Sequence, residues 1–281
     1  MIKILATGGN GQLAQCIKDI VKNDDELDVD FQDLPYLDIT NKQQLELYFL
    51  KNELDYCINC AAYTAVDLAE EQSDLAYAVN AEGPKNLAEV CKKYQVKLLH
   101  ISTDFVFDGK KQTPYIETDI PNPLGVYGAS KWQGERNIQE AMESYFIIRT
   151  SWLYSEYGNN FMKTMLRLSE TRDEISVVSD QIGSPTYAGD LAGVLIKIVL
   201  SSTTNYGVYH YSNLGAISWY DFAVEIFNQF GKKIEVKPIK TKDYPTAAKR
   251  PEYSILSTKR ITKEFGLNEL NWRDNLKINV K

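Results

Sequence analysis

The sequence predicts an α/β protein whose main body is a doubly wound parallel sheet, with a smaller C-terminal lobe packed against it. Three observations lead there. Apolar strand patterns alternate with amphipathic helix patterns through the first half of the chain, which is how parallel sheets covered on both faces read. The first strand runs straight into a glycine-rich turn. The second half loses the alternation, and Pro238, Pro245 and Pro251 break up its end.

The elements follow in order. Ile2 to Thr7 reads as a buried strand, and Gln12 to Lys22 as a helix with Leu13, Cys16, Ile17, Ile20 and Val21 at helical spacing. Leu27 to Gln32 is a second strand. Thr40-Asn41-Lys42-Gln43 reads as a capping box that opens a helix through about Leu50. Tyr56 to Asn59 is a third strand, and a long helix from near Ser73 to Tyr94 has a point of interruption at Gly83-Pro84. Val96 to Ser102 is a fourth strand, a helix carrying Lys131 runs to about Met142, and Tyr145 to Thr150 is a fifth strand. Further on, Leu191 to Leu200 is a buried helix, and Trp219 to Phe230 an amphipathic helix opened by Ser218. Gly8, Asp33, Ala61, Thr103 and Thr150 all fall at or just past strand ends, where ligands of such sheets bind.

Composition narrows the function classes. A chain of 281 residues buries a large core as one domain or two lobes. A net charge of −7 argues against nucleic-acid binding. The N-terminus meets Gly8 too soon for a signal peptide, and no apolar run reaches the ~18 residues of a membrane span. A cytoplasmic protein without membrane contact is expected. Of the four cysteines, Cys57 and Cys60 formally make a C-x-x-C, but no second pair completes a zinc set. Buried reduced thiols are expected at Cys16, Cys57, Cys60 and Cys91. His100 lies in an apolar run as a hydrogen-bonded strand residue and His210 sits among aromatics, so neither a Ser-His-Asp triad nor a His-rich metal site is attractive.

Two motifs carry chemistry. In Thr7-Gly8-Gly9-Asn10-Gly11-Gln12-Leu13-Ala14, Gly8 and Gly11 have the G-x-x-G spacing and Ala14 takes the third small position. Glycine lets the backbone approach a pyrophosphate, and the helix that follows presents free N–H groups to it. This makes the sheet Rossmann-type and the ligand a dinucleotide. Asp33, 22 residues past Gly11, is placed to accept hydrogen bonds from the adenosine ribose and to repel a 2′-phosphate. Leu34 stands where an NADP-preferring site would want arginine, so NADH is expected to serve at least as well as NADPH. Asp38 is expected to reach the adenine edge. The second motif is Tyr127-Gly128-Ala129-Ser130-Lys131. Of 18 tyrosines only Tyr127 has a lysine four residues on. On a helix the two share a face, and the ammonium of Lys131 should favour the ionised phenol, making Tyr127 a general acid or base.

With these motifs in place, the sequence resembles the extended short-chain dehydrogenase/reductase superfamily and, within it, the dTDP-4-dehydrorhamnose reductase family. The likeness runs over nearly the whole chain: Thr7 to Leu13, Leu37-Asp38-Ile39-Thr40, Asn59 to Asp67 with Ala69-Glu70, Ser102 to Gly109, and Asn122 to Gly128. It continues through Arg149 to Tyr154, Gly158 to Phe161, Asp180 to Thr186 and Tyr244 to Pro251, the segments that belong to the substrate lobe. Departures are Ala14, Leu34, Ala247 where proline is common, and a short C-terminal tail, which weakens any expectation of a Mg²⁺ site or dimer built from acidic C-terminal residues. No metal site is expected from the sequence itself, and the assembly is expected to be a monomer or homodimer.

What the resemblance implies is specific. The catalytic set would be Thr103, Tyr127 and Lys131. Cofactor contacts, with NADH or NADPH, would come from Gly8, Asn10, Gly11, Gln12, Leu13, Asp33, Asp38, Ile39, Ala61, Ala62, Tyr63, Asn80, Tyr127 and Lys131. The substrate, a nucleotide-activated sugar, would meet Thr64, Val66, Thr103, Asp104, Phe105, Trp152, Asn160 and Arg250. Arg250 would grip the diphosphate or form a surface salt bridge. Trp152 would pack on the sugar or fill the junction between lobes, and Tyr63 and Thr64 would contact ligand or only shape the cofactor loop. Residues 1–151 would be the dinucleotide-binding domain, with a further strand or helix from 175–235, and residues 152–281 mainly the substrate-binding lobe. A dehydratase would want an acidic pair after the threonine, but Thr103 is followed by Asp104-Phe105, which favours simple reduction over epimerase or dehydratase chemistry. A non-catalytic regulatory subunit on the same fold is the alternative of another class.

Overall fold

The structure, a computed structural model, describes residues 1–276. Its first half alternates as the pattern predicts: β1 (Ile2–Thr7), α1 (Gln12–Val21), β2 (Leu27–Gln32), α2 (Lys42–Lys51) and β3 (Tyr56–Asn59). Short helices α3 (Val66–Ala69) and α4 (Ser73–Tyr77) lead through a π-helical turn at Ala78–Glu82 into α5 (Gly83–Tyr94). Then come β4 (Lys97–Thr103), a 3₁₀ turn at Asp104–Val106, α6 (Val126–Ala141) and β5 (Tyr145–Thr150).

Two local expectations shift. The cap of α2 is Asn41, whose side chain accepts from the Gln44 backbone N–H, while Thr40 turns back to Asp38. The helical stretch from Ser73 to Tyr94 does not break at Gly83-Pro84. Proline sits in the first turn of α5, where a missing N–H costs nothing, and the irregularity is the π turn just before it.

The remaining elements are β6 (Leu153–Tyr154), α7 (Phe161–Leu168), β7 (Glu174–Val178), β8 (Ile182–Gly183), β9 (Thr186–Tyr187), α8 (Ala188–Ser201), β10 (Gly207–His210), β11 (Ile217–Ser218), α9 (Trp219–Gln229), β12 (Glu235–Ile239) and α10 (Lys259–Phe265). β10 returns to the main sheet, whose order is β10-β5-β4-β3-β1-β2, and every pairing in it is parallel. The order reverses between β1 and β3, so their carboxyl ends open the crevice where such sheets bind ligands. Ile17, Leu191, Leu195 and Ile261 pack one face of the sheet, and Leu45, Leu87, Val90 and Ile138 the other. A third core, around Tyr154, Phe222, Ile226 and Trp272, belongs to the smaller lobe. All four cysteines are free thiols, three of them buried and Cys60 partly so. Among the described residues no helix is long and apolar enough to cross a membrane.

Candidate active site

β1 turns into α1 through Gly8, at φ +66°, a left-handed conformation glycine adopts without strain. A side chain there would also collide with the Ala61 backbone nitrogen, 2.6 Å from where its Cβ would lie. The loops after β1 and β3 therefore touch, and only glycine permits it. Gly11 caps α1 without any side-chain hydrogen bond, so the first N–H groups of the helix have no protein side chain to satisfy them. Gly11, Gln12 and Leu13 line a cleft of about 670 Å³. An uncapped helix start with glycine backbone beside it fits a pyrophosphate.

The same cleft is lined by Cys60, Ala62, Thr64, Val66, Thr103, Asp104, Phe105, Tyr127, Lys131, Trp152, Asn160 and Arg250. Thr103 closes β4, and its hydroxyl accepts from the Phe105 N–H at 3.2 Å and donates to Asp104 Oδ1 at 3.1 Å. Tyr127 is in the first turn of α6, a helix whose N-cap, Gly125, offers no side chain. Glu70 supplies the missing cap from a distance, taking the Val126 N–H at 2.8 Å. α6 then presses so close to the turn after β4 that a Cβ on Gly128 would lie 2.2 Å from the Phe105 carbonyl oxygen. The contact sets Tyr127 beside Phe105, ring edge to face at 5.5 Å.

The electrostatics of the pair differ from the sequence expectation. Burial pushes the Tyr127 phenol up to about 12, the Thr103 hydroxyl beside it pulls it part of the way back, and the Asp104 carboxylate adds to the rise. The Lys131 ammonium lies deeper. It donates to the Ile101 carbonyl at 2.6 Å and faces His100 Nε2 at 3.4 Å. Burial brings Lys131 down to about 8, while Glu135 and Cys60 oppose the fall. Tyr127 is thus a phenol, not a phenolate, at neutral pH, which suits a proton donor. Asp104 is buried as well. Its Oδ2 has no hydrogen-bond partner, and burial lifts the carboxyl to about 6, with the nearby Ser254 and Thr103 hydroxyls drawing it back.

Of the other predicted residues, Trp152, Asn160 and Arg250 line the cleft, while Asp33, Asp38, Ile39, Tyr63 and Asn80 do not, and most of their polar groups are already engaged. The Asp33 carboxylate accepts from the Asn10 N–H at 2.9 Å and the Leu34 N–H at 2.8 Å, at the end of β2. Asp38 accepts from the Thr40 N–H and hydroxyl, and Ile39 is buried with its side chain against Gly83. Asn80 is fully buried below the cleft, its amide bonded to both backbone groups of Tyr63 and to the Ser130 hydroxyl. The Tyr63 hydroxyl donates to Gln72. The Asn160 amide caps α7 through the Lys163 N–H and donates to the Ser155 carbonyl. Arg250 pairs bidentately with Asp67, at 2.6 and 3.1 Å, and of its expected roles the salt bridge is the one its guanidinium occupies. Trp152 has φ +45°, uncommon for a bulky residue, and stacks on Trp219 with ring centroids 3.4 Å apart.

Residues the sequence reading did not single out also shape the site. Trp219 and Phe161 form its aromatic wall. Trp219 had read only as the start of an amphipathic helix, although a tryptophan straight after a capping serine sits at an exposed end and merits notice. His100, expected only as a hydrogen-bonded strand residue, faces Lys131 and is bonded in turn to Asn59.

A family model described as the RmlD substrate binding domain matches residues 2–281. A dTDP-4-dehydrorhamnose reductase from Aggregatibacter actinomycetemcomitans is 45% identical over 99% of this chain and 98% of its own. The crystal structure of a dTDP-4-dehydrorhamnose reductase from Clostridium acetobutylicum superposes with a TM-score of 0.94 at 44% identity, covering 98% of this chain and 97% of that one. Another, from Bacillus anthracis in complex with NADP, has a TM-score of 0.94 at 43% identity, covering 99% and 98%. The glycine turn, the Thr103–Tyr127–Lys131 arrangement and likeness from end to end agree: the chain belongs to the dTDP-4-dehydrorhamnose reductase family.

Proposed function

We propose that this protein reduces the C4 ketone of dTDP-4-dehydro-L-rhamnose with NADH or NADPH, giving dTDP-L-rhamnose. The observation that carries this reading is a neutral phenol, Tyr127, beside the Thr103 hydroxyl in a cleft that begins at an uncapped helix N-terminus. The backbone of Gly11, Gln12 and Leu13 would hold the pyrophosphate, and Lys131 the nicotinamide ribose. The reduced nicotinamide, when bound, supplies the hydride. Thr103 orients the ketone oxygen, and Tyr127 gives its proton to that oxygen as negative charge develops there. One hydride and one proton make the alcohol.

In this reading residues 1–151 serve the dinucleotide and residues 152–281 mainly the sugar nucleotide. Trp152, on its stacked partner Trp219, offers the sugar a flat apolar wall, and the unpartnered Asp104 Oδ2 offers a hydroxyl acceptor. Arg250 would reach a diphosphate only by exchanging Asp67 for it. NADH is expected to be used at least as well as NADPH, because Asp33 is an anion at the end of β2 where a 2′-phosphate would come. The relative crystallised with NADP makes that point worth measuring.

The test is the fall of nicotinamide absorbance with dTDP-4-dehydro-L-rhamnose against the same mixture without sugar. Sugar-dependent oxidation is expected, with kcat/KM for NADPH no more than about tenfold above that for NADH, a difference of ~1.4 kcal/mol. Oxidation at the blank rate would mark the regulatory-subunit alternative.

A further inference from the structure

Below the cleft a chain of hydrogen bonds runs from the end of β1 to Lys131. The Thr7 hydroxyl donates to Asn59 Oδ1 at 2.7 Å, and the Ala61 N–H donates to the same oxygen at 3.2 Å. Asn59 Nδ2 lies 2.9 Å from His100 Nδ1, and His100 Nε2 lies 3.4 Å from Lys131 Nζ. Thr7, Asn59, His100 and Lys131 are all buried.

The direction of this chain follows from one group that cannot reverse. A backbone N–H only donates, so Ala61 requires an oxygen at that corner of the Asn59 amide. The other corner is then the NH₂, which donates to His100. His100 Nδ1 must accept, and a neutral imidazole with a bare Nδ1 carries its proton on Nε2. That proton points at Lys131 Nζ, a nitrogen whose ammonium form has only donors. Two donors face each other when Lys131 is charged, and one donor meets a lone pair when it is neutral.

We infer that Asn59 and His100 are positioning residues of the reduction: the Ala61 N–H fixes the Asn59 amide, the amide fixes His100 as its Nε2–H tautomer, and that N–H sets how readily Lys131 holds its proton. The inference rests on the proposed reductase reading for its kinetic consequence but not for its structural one. Around Lys131 the other ionisable groups are Glu135, one turn along α6 and turned toward Arg149; Cys60, a thiol held up at about 12 by burial; Tyr127 on α6; and Asp104 after β4. None donates a proton toward Nζ as His100 does. Burial and the neighbouring lysine hold His100 well below its usual value, so it stays neutral across the working range.

The chain's other histidine gives an internal control. His210 Nδ1 lies 3.1 Å from the Tyr115 carbonyl oxygen, which only accepts, and its Nε2 lies 3.3 Å from Arg149 Nη1, which only donates. His210 must therefore be the Nδ1–H tautomer, opposite to His100.

The experiment is ¹⁵N NMR of the whole protein labelled at histidine, read for the protonation of each ring nitrogen at pH 7. One neutral ring protonated at Nε2, assigned to His100 by its loss in His100→Gln, and one protonated at Nδ1 are expected. His100 found as the Nδ1–H tautomer, or as imidazolium, overturns the inference whatever the protein's activity. The kinetic arm compares two variants. In His100→Gln the amide can still accept from Asn59 and donate to Lys131, so kcat/KM and its alkaline limb should stay within about threefold and a few tenths of a pH unit of the parent. In His100→Leu both bonds go, kcat/KM should fall about tenfold, and the alkaline limb should move up by about half a unit or more. Identical pH profiles for the two variants would reduce His100 to a packing residue. If neither variant nor parent reduces the sugar, the reductase reading fails, while the tautomer result still decides the hydrogen-bond chain.

Discussion

Helix α6 carries two buried ions one turn apart, and their surroundings are opposites. Glu135 is met on every side: Arg149 binds it bidentately at 2.7 to 3.2 Å, Ser102 donates to it, and His210 accepts from the other edge of the guanidinium. Lys131 forms no ion pair among the described residues and has one carbonyl and an imidazole N–H for company. The satisfied cluster ties β4, β5, β10 and α6 into one body. The unsatisfied one, with Tyr127 and Asp104, faces the cleft. Buried charge that is fully paired fixes geometry, and buried charge left short of partners is held ready for a ligand.

Breaking the paired cluster should have the largest effect. Arg149→Met leaves Glu135 buried without its cation, and a loss of ~3–5 kcal/mol in unfolding free energy is expected by denaturant titration. A loss below ~1 kcal/mol would mean that the pair is no more than tolerated. Next comes Tyr127→Phe, which removes only the hydroxyl proposed as proton donor. Turnover should fall by ~10²–10⁴ while dinucleotide binding and stability change little. Near-normal turnover would remove Tyr127 from the proposed chemistry. The smallest effect has the opposite sign. Lys131→Met should make the protein more stable as it abolishes activity. Folded Lys131 titrates at about 8, below its usual 10.5, so at pH 7 folding buries a full charge at a cost on the order of 3 kcal/mol as an upper figure. Above pH 8 the folded state gives up that proton before the unfolded state does, so the gain from the variant should shrink steadily toward pH 10.5. A stability gain independent of pH would assign it to packing.

How much of this could be read in advance depended on sequence distance. Gly8, Gly11 and α1 were legible because strand, turn and helix are contiguous, and Tyr127 with Lys131 because four residues on a helix define one face. The capping of α2 was misplaced by one residue because Thr40 and Asn41 are both good caps, and only the bond of Thr40 to Asp38 decides between them. The acidity of Tyr127 was misjudged for a different reason. A shared helix face says that two side chains are near, not that the longer one bends away to Ile101 and His100. Asn59 lies 41 residues from His100, and Asp67 lies 183 from Arg250. Such partners are chosen by the order of strands in the sheet, which local pattern does not record.

β10 deserves a last consequence. It pairs with β5 only after the chain has built α7, α8 and the first strands of the smaller lobe, and it brings His210 to Arg149. A fragment cut after residue 151 would carry the glycine turn, Tyr127 and Lys131 and still end in a naked apolar margin, β5, inviting strand-to-strand association. The smaller lobe therefore cannot be exchanged like a cassette at that border. A graft onto a relative must carry residues 207–210 with the sheet they complete, or the hybrid will precipitate before its specificity can be assayed.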